Sequence, residues 1–304
     1  MSAGSPTREP ESSAAVGEKP QTASDCVVAP RAFALQLRHA FDQARQRIRA
    51  NVSRRQARDR LPRFLMLGDA ASGKTSLLSH LGLNALGEPP DSESLEAHPP
   101  CQWWLFEQGM VLDIAGNVLF QTDTHDEGDE RWQSLLRRLQ RDRPARPLDG
   151  VILTLSFTDL TRQATPGAHE LSHLKDKATC LTNKLVRAQR MFDLRFPIYI
   201  LVTKCDQIHG FQSLCRNLPV PRHQDIFGWS NPYAIDTAYS PAWVDEAFHY
   251  LCRHLVQTQS DVFATRLEVR DGDGLFLHFS LPDFLAVVGH GRLVVVPLHG
   301  NAGG

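Results

Sequence analysis

The stretch Gly68-Asp69-Ala70-Ala71-Ser72-Gly73-Lys74-Thr75 constrains this chain more than any other. It follows the apolar run Phe64-Leu65-Met66-Leu67 and leads into Ser76-Leu77-Leu78. That order predicts a strand, a glycine-rich loop and a helix, which is the setting of a phosphate-binding loop. The two glycines let the main chain bend so that successive N–H groups point at one polyphosphate. Residues Gly68 to Ser76 are the expected phosphate cradle, with Lys74 reaching the β- and γ-phosphates and the Thr75 hydroxyl ligating Mg²⁺. The competing reading is an ordinary strand-to-helix turn that happens to contain glycine.

Around this loop the chain has the composition of a globular protein. Hydrophobic residues make up 42% and charged residues 22%, and the formal net charge is −1. That balance gives no global attraction to nucleic acid, and no nucleic-acid partner is expected. The six cysteines form no C-x-x-C pair and read as free thiols. No apolar run approaches the length of a bilayer span, so a cytoplasmic chain is expected, with peripheral contact at a membrane surface as an option.

Residues 1–30 are rich in Ser, Ala, Pro and Glu and read as a disordered tail. Over 31–62 the spacing of Phe33, Leu37, Phe41, Ala44 and Ile48 predicts an amphipathic helix. Ten arginines between 31 and 63 face only Asp42 and Asp59. Two readings follow: a helix packed on the domain with a solvated arginine face, or a surface for weak contact with anionic lipid headgroups. From 63 to 265 strand-like and helix-like segments alternate. Strands are expected at 64–67, 103–106, 110–112, 150–157 and 197–202. Helices are expected from 76 to about 83, over 126–143, over 167–192 and around 244–262. The alternation predicts an α/β fold of the P-loop NTPase kind, with a mostly parallel sheet and helices on both faces. Residues 266–304 read as a hairpin at Leu267–Val269 and Leu275–Phe279, followed by an irregular tail.

Two further stretches complete the expected site. Val111-Leu112-Asp113-Ile114-Ala115-Gly116 is an apolar strand ending in Asp-x-x-Gly. Asp113 is placed to hold Mg²⁺, and Gly116 to offer its N–H to a terminal phosphate. Thr203-Lys204-Cys205-Asp206 follows the strand at 197–202. Its Asp206 carboxylate can accept from N1–H and N2–H₂ of guanine, while the Lys204 stem packs along the base. GTP or ATP with Mg²⁺ is therefore the expected ligand. Hydrolysis is expected to be slow or absent. No threonine lies between Thr75 and Asp113 to order a switch, and Asn117, not Gln, follows Gly116. No catalytic residue is assigned.

Several segments resemble the N-terminal cytoplasmic domain of the IcmF/TssM family, the large inner-membrane subunit of type VI secretion systems. They are Leu61–Gly68, Cys101-Gln102-Trp103-Trp104, Arg146–Val151, Arg195-Phe196-Pro197 leading into Thr203–Asp206, and Phe227-Gly228-Trp229. The resemblance implies a GTPase-like domain that binds GTP or ATP and works with other secretion subunits in assembling the membrane complex. Where the family usually has Asp-Thr-Ala-Gly, this chain has Asp113-Ile114-Ala115-Gly116, which removes a hydroxyl near the phosphates. The family's membrane helices are missing from the sequence. Three readings stand: a binding and assembly module, an active GTPase/ATPase switch, or a degenerate scaffold with an empty pocket from a truncated gene.

Overall fold

A computed structural model describes residues 30–52, 60–87, 99, 101–116, 118, 125–162, 168–219, 222 and 227–265. The expected tail, almost all of the 88–100 loop, Asn117 and the 267–279 hairpin lie outside the described residues. At the centre is β1 (Arg63–Gly68), flanked by β3 (Gly109–Ile114) and β4 (Gly150–Ser156), both parallel to it. Leu65 pairs with Leu112 on one side and Val151 on the other. Outside these lie β2 (Cys101–Phe106), antiparallel to β3, and β5 (Ile198–Thr203), parallel to β4. The order is β2-β3-β1-β4-β5. The antiparallel strand follows from a tight turn: only Glu107 and Gln108 separate β2 from β3, too short for a parallel crossover.

Alternation along β1 feeds two cores. Leu65 and Leu67 face a layer made by α1 (Pro30–Asn51), α3 (His125–Asp142) and α5 (Ala168–Phe192). Trp132, Leu135, Leu136 and Leu139 of α3 are fully buried there, and the Trp132 indole N–H donates to Lys184 O at 3.0 Å. Met66 points to the other face, with Trp104, Phe106, Val111 and Leu78 of α2 (Lys74–Ser79). Each strand is thus buried on both sides near the sheet centre, which is why β4 reads as an almost continuous apolar run.

Helix α1 packs its apolar stripe on the domain. Phe33, Leu37, Phe41 and Ala44 are buried in the main core, and Phe41 meets Trp103 edge-on at 5.2 Å between ring centroids. The apolar stripe is therefore unavailable to a bilayer. Part of the arginine face is also committed. Arg45 and Arg63 both pair with Asp142, at 2.6 and 2.7 Å, and Arg138 of α3 pairs with Asp42 at 3.0 Å. Arg63 is buried, with its guanidinium 5.4 Å from the Trp103 ring centre.

Three features differ from the sequence expectation. Helix α1 ends at Asn51 and α2 at Ser79, each earlier than its pattern suggests. Strand β4 passes without a loop into α4 (Phe157–Arg162), because Phe157 continues the apolar run although the backbone has already turned helical. After β5 and a 3₁₀ turn at Cys205–Gln207 comes α6 (Phe211–Asn217), which the expectation missed. Gly210 supplies its left-handed start, at φ 81°. The last described helix is α7 (Ala242–Thr265), whose Leu255 and Val262 pack with Leu214 of α6. No described helix is long and apolar enough to cross a membrane.

Candidate functional site

The glycine-rich loop leaves the carboxyl end of β1 and turns into α2. Gly73 sits at φ 84°, a conformation glycine adopts without strain, and Ala71 is left-handed at φ 58°. Gly68 has no room for a side chain: a Cβ would overlap Thr154 Oγ1 and lie 3.0 Å from Ser72 Oγ. Leu77 is the first residue of α2 whose N–H reaches a main-chain acceptor, Gly73 O at 2.9 Å. The amides of the preceding turn are left for whatever the loop encloses.

Lys74 is 7% exposed and folds back into the loop. Its ammonium donates to Gly68 O (3.0 Å), Asp69 O (2.7 Å) and Ser72 Oγ (3.4 Å). All three acceptors are neutral oxygens. Burial lowers the Lys74 pKa, and the charges of Asp113 and Asp69 oppose that shift. A buried cation whose direct hydrogen bonds go only to neutral oxygens is a site that can gain from a bound anion.

The second motif meets the first. The Thr75 hydroxyl donates to Asp113 Oδ2 at 2.9 Å, joining α2 to the end of β3. Asp113 is buried, and its strand pairs with β1 through Met66. A Cβ on Gly116 would overlap Ala70 N and come 2.6 Å from the Asp69 carbonyl carbon. The Asp-x-x-Gly turn therefore lies directly on the loop's main chain. Mg²⁺ prefers hard oxygen donors and usually keeps several waters rather than an all-protein cage. A hydroxyl and a carboxylate already within hydrogen-bond distance fit such an ion. No cluster of three or more His, Cys, Asp or Glu competes among the described residues.

The third motif is tied in through Thr203. Its hydroxyl donates to Ser72 O at 2.5 Å, so β5 is held to the glycine-rich loop. This hydroxyl is spent on the protein. Lys204 is left-handed at φ 58° and opens the 3₁₀ turn that carries Asp206 outward. The Asp206 carboxylate is exposed and makes no hydrogen bond among the described residues, while its carbonyl accepts from Gln212 Nε2 at 3.2 Å. Burial, reinforced by Asp206 and Cys215, pushes the Cys205 thiol up to about 11 and keeps it neutral.

Two residues of the site escaped the sequence reading. Thr154, buried in β4, bonds Ser72 Oγ at 3.0 Å and Leu67 O at 3.2 Å, pinning the loop to the sheet. A hydroxyl interrupting the apolar run 151–157 was the available signal. Lys177 of α5 pairs with Asp69 at 2.8 Å across 108 residues of sequence. No local pattern announces that contact. Among the expected residues, Ser72 is 1% exposed and acts as a strut inside the loop, while Ala70, Ala71 and Ser76 are exposed.

Fold and site together define an α/β protein with a mostly parallel sheet and a glycine-rich loop at the carboxyl end of its central strand. Residues 125–290 match the IcmF-related N-terminal domain. The chain belongs to that family. Among its relatives, the type VI secretion system component TssM1 of Pseudomonas aeruginosa (strain PAO1) is 28% identical over 185 residues, 59% of this chain. The chain spans only 16% of that relative's length. The family match contains Thr203–Asp206; the glycine-rich loop and Asp113 precede it.

Proposed function

We propose that this chain is a nucleotide-binding module that takes GTP, or ATP, with Mg²⁺ and acts with other type VI secretion subunits in assembling their membrane complex. The observation that carries the reading is Lys74, a buried ammonium inside a glycine-rich loop whose hydrogen bonds go only to neutral oxygens. A polyphosphate would give the ammonium charged acceptors in direct hydrogen-bond contact. Thr75 and Asp113 would hold Mg²⁺, which neutralises phosphate charge when bound. Gly116 leaves the main chain of Asp69 and Ala70 room to approach a phosphate, and Asp206 stands free to accept from a base. Binding without efficient turnover follows from the sequence, which lacks a threonine between Thr75 and Asp113 and has Asn117 after Gly116. The secretion context rests on family membership and on the TssM1 relative, which is a much longer protein. Cytoplasmic placement beside the inner membrane is part of the same reading. Contact with anionic headgroups would rest on arginines alone, since the apolar stripe of α1 is in the core.

The test is to purify the chain, identify any retained nucleotide, and titrate GTP and ATP with and without Mg²⁺. Binding is expected, with hydrolysis near background. Lys74→Ala is expected to abolish binding while the circular dichroism spectrum and melting cooperativity stay native. Equal binding by the variant removes the phosphate-loop reading. Rapid hydrolysis by the unmodified chain would favour an active switch, and no binding would favour an empty scaffold.

A further inference from the structure

Residues 84–86 run antiparallel along the outer edge of β2. Leu86 N–H donates to Leu105 O at 2.8 Å, Glu107 N–H donates to Asn84 O at 3.1 Å, and Ala85 bridges Phe106. Helix α2 has already stopped at Ser79, and the chain reaches this edge through Gly82. Gly82 sits at φ 66°, and a Cβ there would meet nothing within 4 Å. On the other side stands the last turn of α1, where Asn51 Nδ2 donates to Arg47 O at 2.9 Å. A Cβ on Gly87 would lie 3.5 Å from that same Asn51 nitrogen, so α1 abuts the 84–87 segment. These elements leave a cavity of about 170 Å³ between them. Leu78, Trp104 and Phe106 of the second core line it, with Leu83, Leu86 and Arg47 beside them.

Arg47 is the one charged residue among the described residues that line this cavity. Arg45 and Arg63 pair with Asp142, and Arg138 pairs with Asp42. Arg47 is half-buried and pairs with no carboxylate among the described residues. We propose that the cavity binds a small hydrophobic carboxylate, its ring or short alkyl chain against Trp104 and Phe106 and its carboxylate on the Arg47 guanidinium. Volume sets the apolar part, because a protein cavity on the order of 150 Å³ takes one benzene ring. Charge sets the head group. A guanidinium is a planar fork that holds both oxygens of a carboxylate in parallel bonds. A phosphate monoester brings nearly two negative charges at neutral pH, and a single arginine balances one. An uncharged molecule of the same shape forfeits the charge-assisted bonds. No residue of the glycine-rich loop lines the cavity, and Lys74 stands at the other end of α2. The proposed site is therefore separate from the phosphate-binding one.

The experiment titrates phenylacetate into the full chain carrying ¹⁵N-labelled tryptophan. The chain has five tryptophans, so the Trp104 indole signal is assigned with Trp104→Phe and read against the other four. With about ten non-hydrogen atoms, phenylacetate is expected to bind one site with a millimolar or tighter dissociation constant. The Trp104 signal is expected to shift most. 2-Phenylethanol, the same ring without the charge, is expected to bind at least about tenfold more weakly. Arg47→Gln is expected to weaken phenylacetate by a similar factor, to leave 2-phenylethanol unchanged and to keep the native melting temperature. Lack of saturation by about 10 mM overturns the proposal. So does equal affinity for the acid and the alcohol in the unmodified chain, which needs no variant to fold. A largest shift at another tryptophan, or undiminished phenylacetate binding in Arg47→Gln, overturns it as well. Phenyl phosphate binding more tightly than phenylacetate overturns the choice of head group. None of these readouts depends on nucleotide.

Discussion

Thr75 and Asp113 lie 38 residues apart in sequence, and the hydroxyl of one donates to the carboxylate of the other at 2.9 Å. The bond is made because parallel pairing of β1 with β3 brings the two strand ends level. It joins the beginning of α2 to the second motif where a metal would need both oxygens. Thr75→Ala is expected to lower apo stability by only about 1 kcal/mol, the net worth of one hydrogen bond. Nucleotide affinity should lose its dependence on Mg²⁺, whereas Thr75→Ser should keep it. Calorimetric titration with and without Mg²⁺ separates the outcomes; an undiminished Mg²⁺ effect in Thr75→Ala would discard Thr75 as a ligand.

Lys177 neutralises Asp69 at the mouth of the loop, with both side chains about one-third exposed. Such a pair is worth under about 1 kcal/mol to the fold. Its larger effect is expected on ligand binding, because an unpaired Asp69 would stand beside incoming phosphates. Lys177→Ala should leave the melting temperature nearly unchanged and weaken GTP binding about tenfold, or about 1.4 kcal/mol. Lys177→Arg should recover most of the loss. A variant with wild-type affinity would show that the pair has no part in binding.

Base choice is expected to rest on Asp206, whose carboxylate makes no bond within the described residues. A site built on such hydrogen bonds rejects the wrong partner strongly, since a polar group is otherwise left unpaired. GTP is expected to bind more tightly than ATP, and Asp206→Asn should shrink that preference. Competition between the two nucleotides for a fluorescent analogue is the measurement. Equal affinities in the unmodified chain would mean that the base is not read here.

Deep in the fold, Asp142 compensates Arg63, and both side chains are under one-tenth exposed. Arg63 also sits over Trp103, so it cannot leave for solvent without disturbing the core. Asp142→Ala should destabilise the chain by about 3–5 kcal/mol, the range for breaking a buried pair from one side. Arg45, the half-exposed third member, should cost less than about 1 kcal/mol when replaced by Gln. Urea unfolding of the two variants tests the ranking, and similar losses would contradict it.

Much of this architecture is legible locally. The glycine-rich loop needs its glycines at defined steps. Each buried parallel strand is an apolar run, and the helices carry their periodicity through Trp132–Leu139 and Leu181–Ala188. These signals depend on residues a few positions apart, so sequence alone places the strands and the long helices, although the apolar run Pro197–Val202 predicts a buried strand and Tyr199–Val202 of β5 are exposed. The short helices at Phe157 and Phe211 are less legible. One extends an apolar strand, and the other is too brief to show a period.

What tertiary structure decided is everything that joins distant residues. The sequence did not say what covers the apolar stripe of α1; Phe33, Leu37 and Phe41 are buried in the main core. It placed Ser72 and Thr203 in a ligand site, but the fold uses Ser72 Oγ against Thr154 and the Thr203 hydroxyl against the loop carbonyl. It gave no hint of Lys177 beside Asp69, a contact across 108 residues. The reason is physical. Backbone conformation answers to neighbours along the chain, whereas a buried hydroxyl or charge answers to whichever partner the packing brings within about 3 Å.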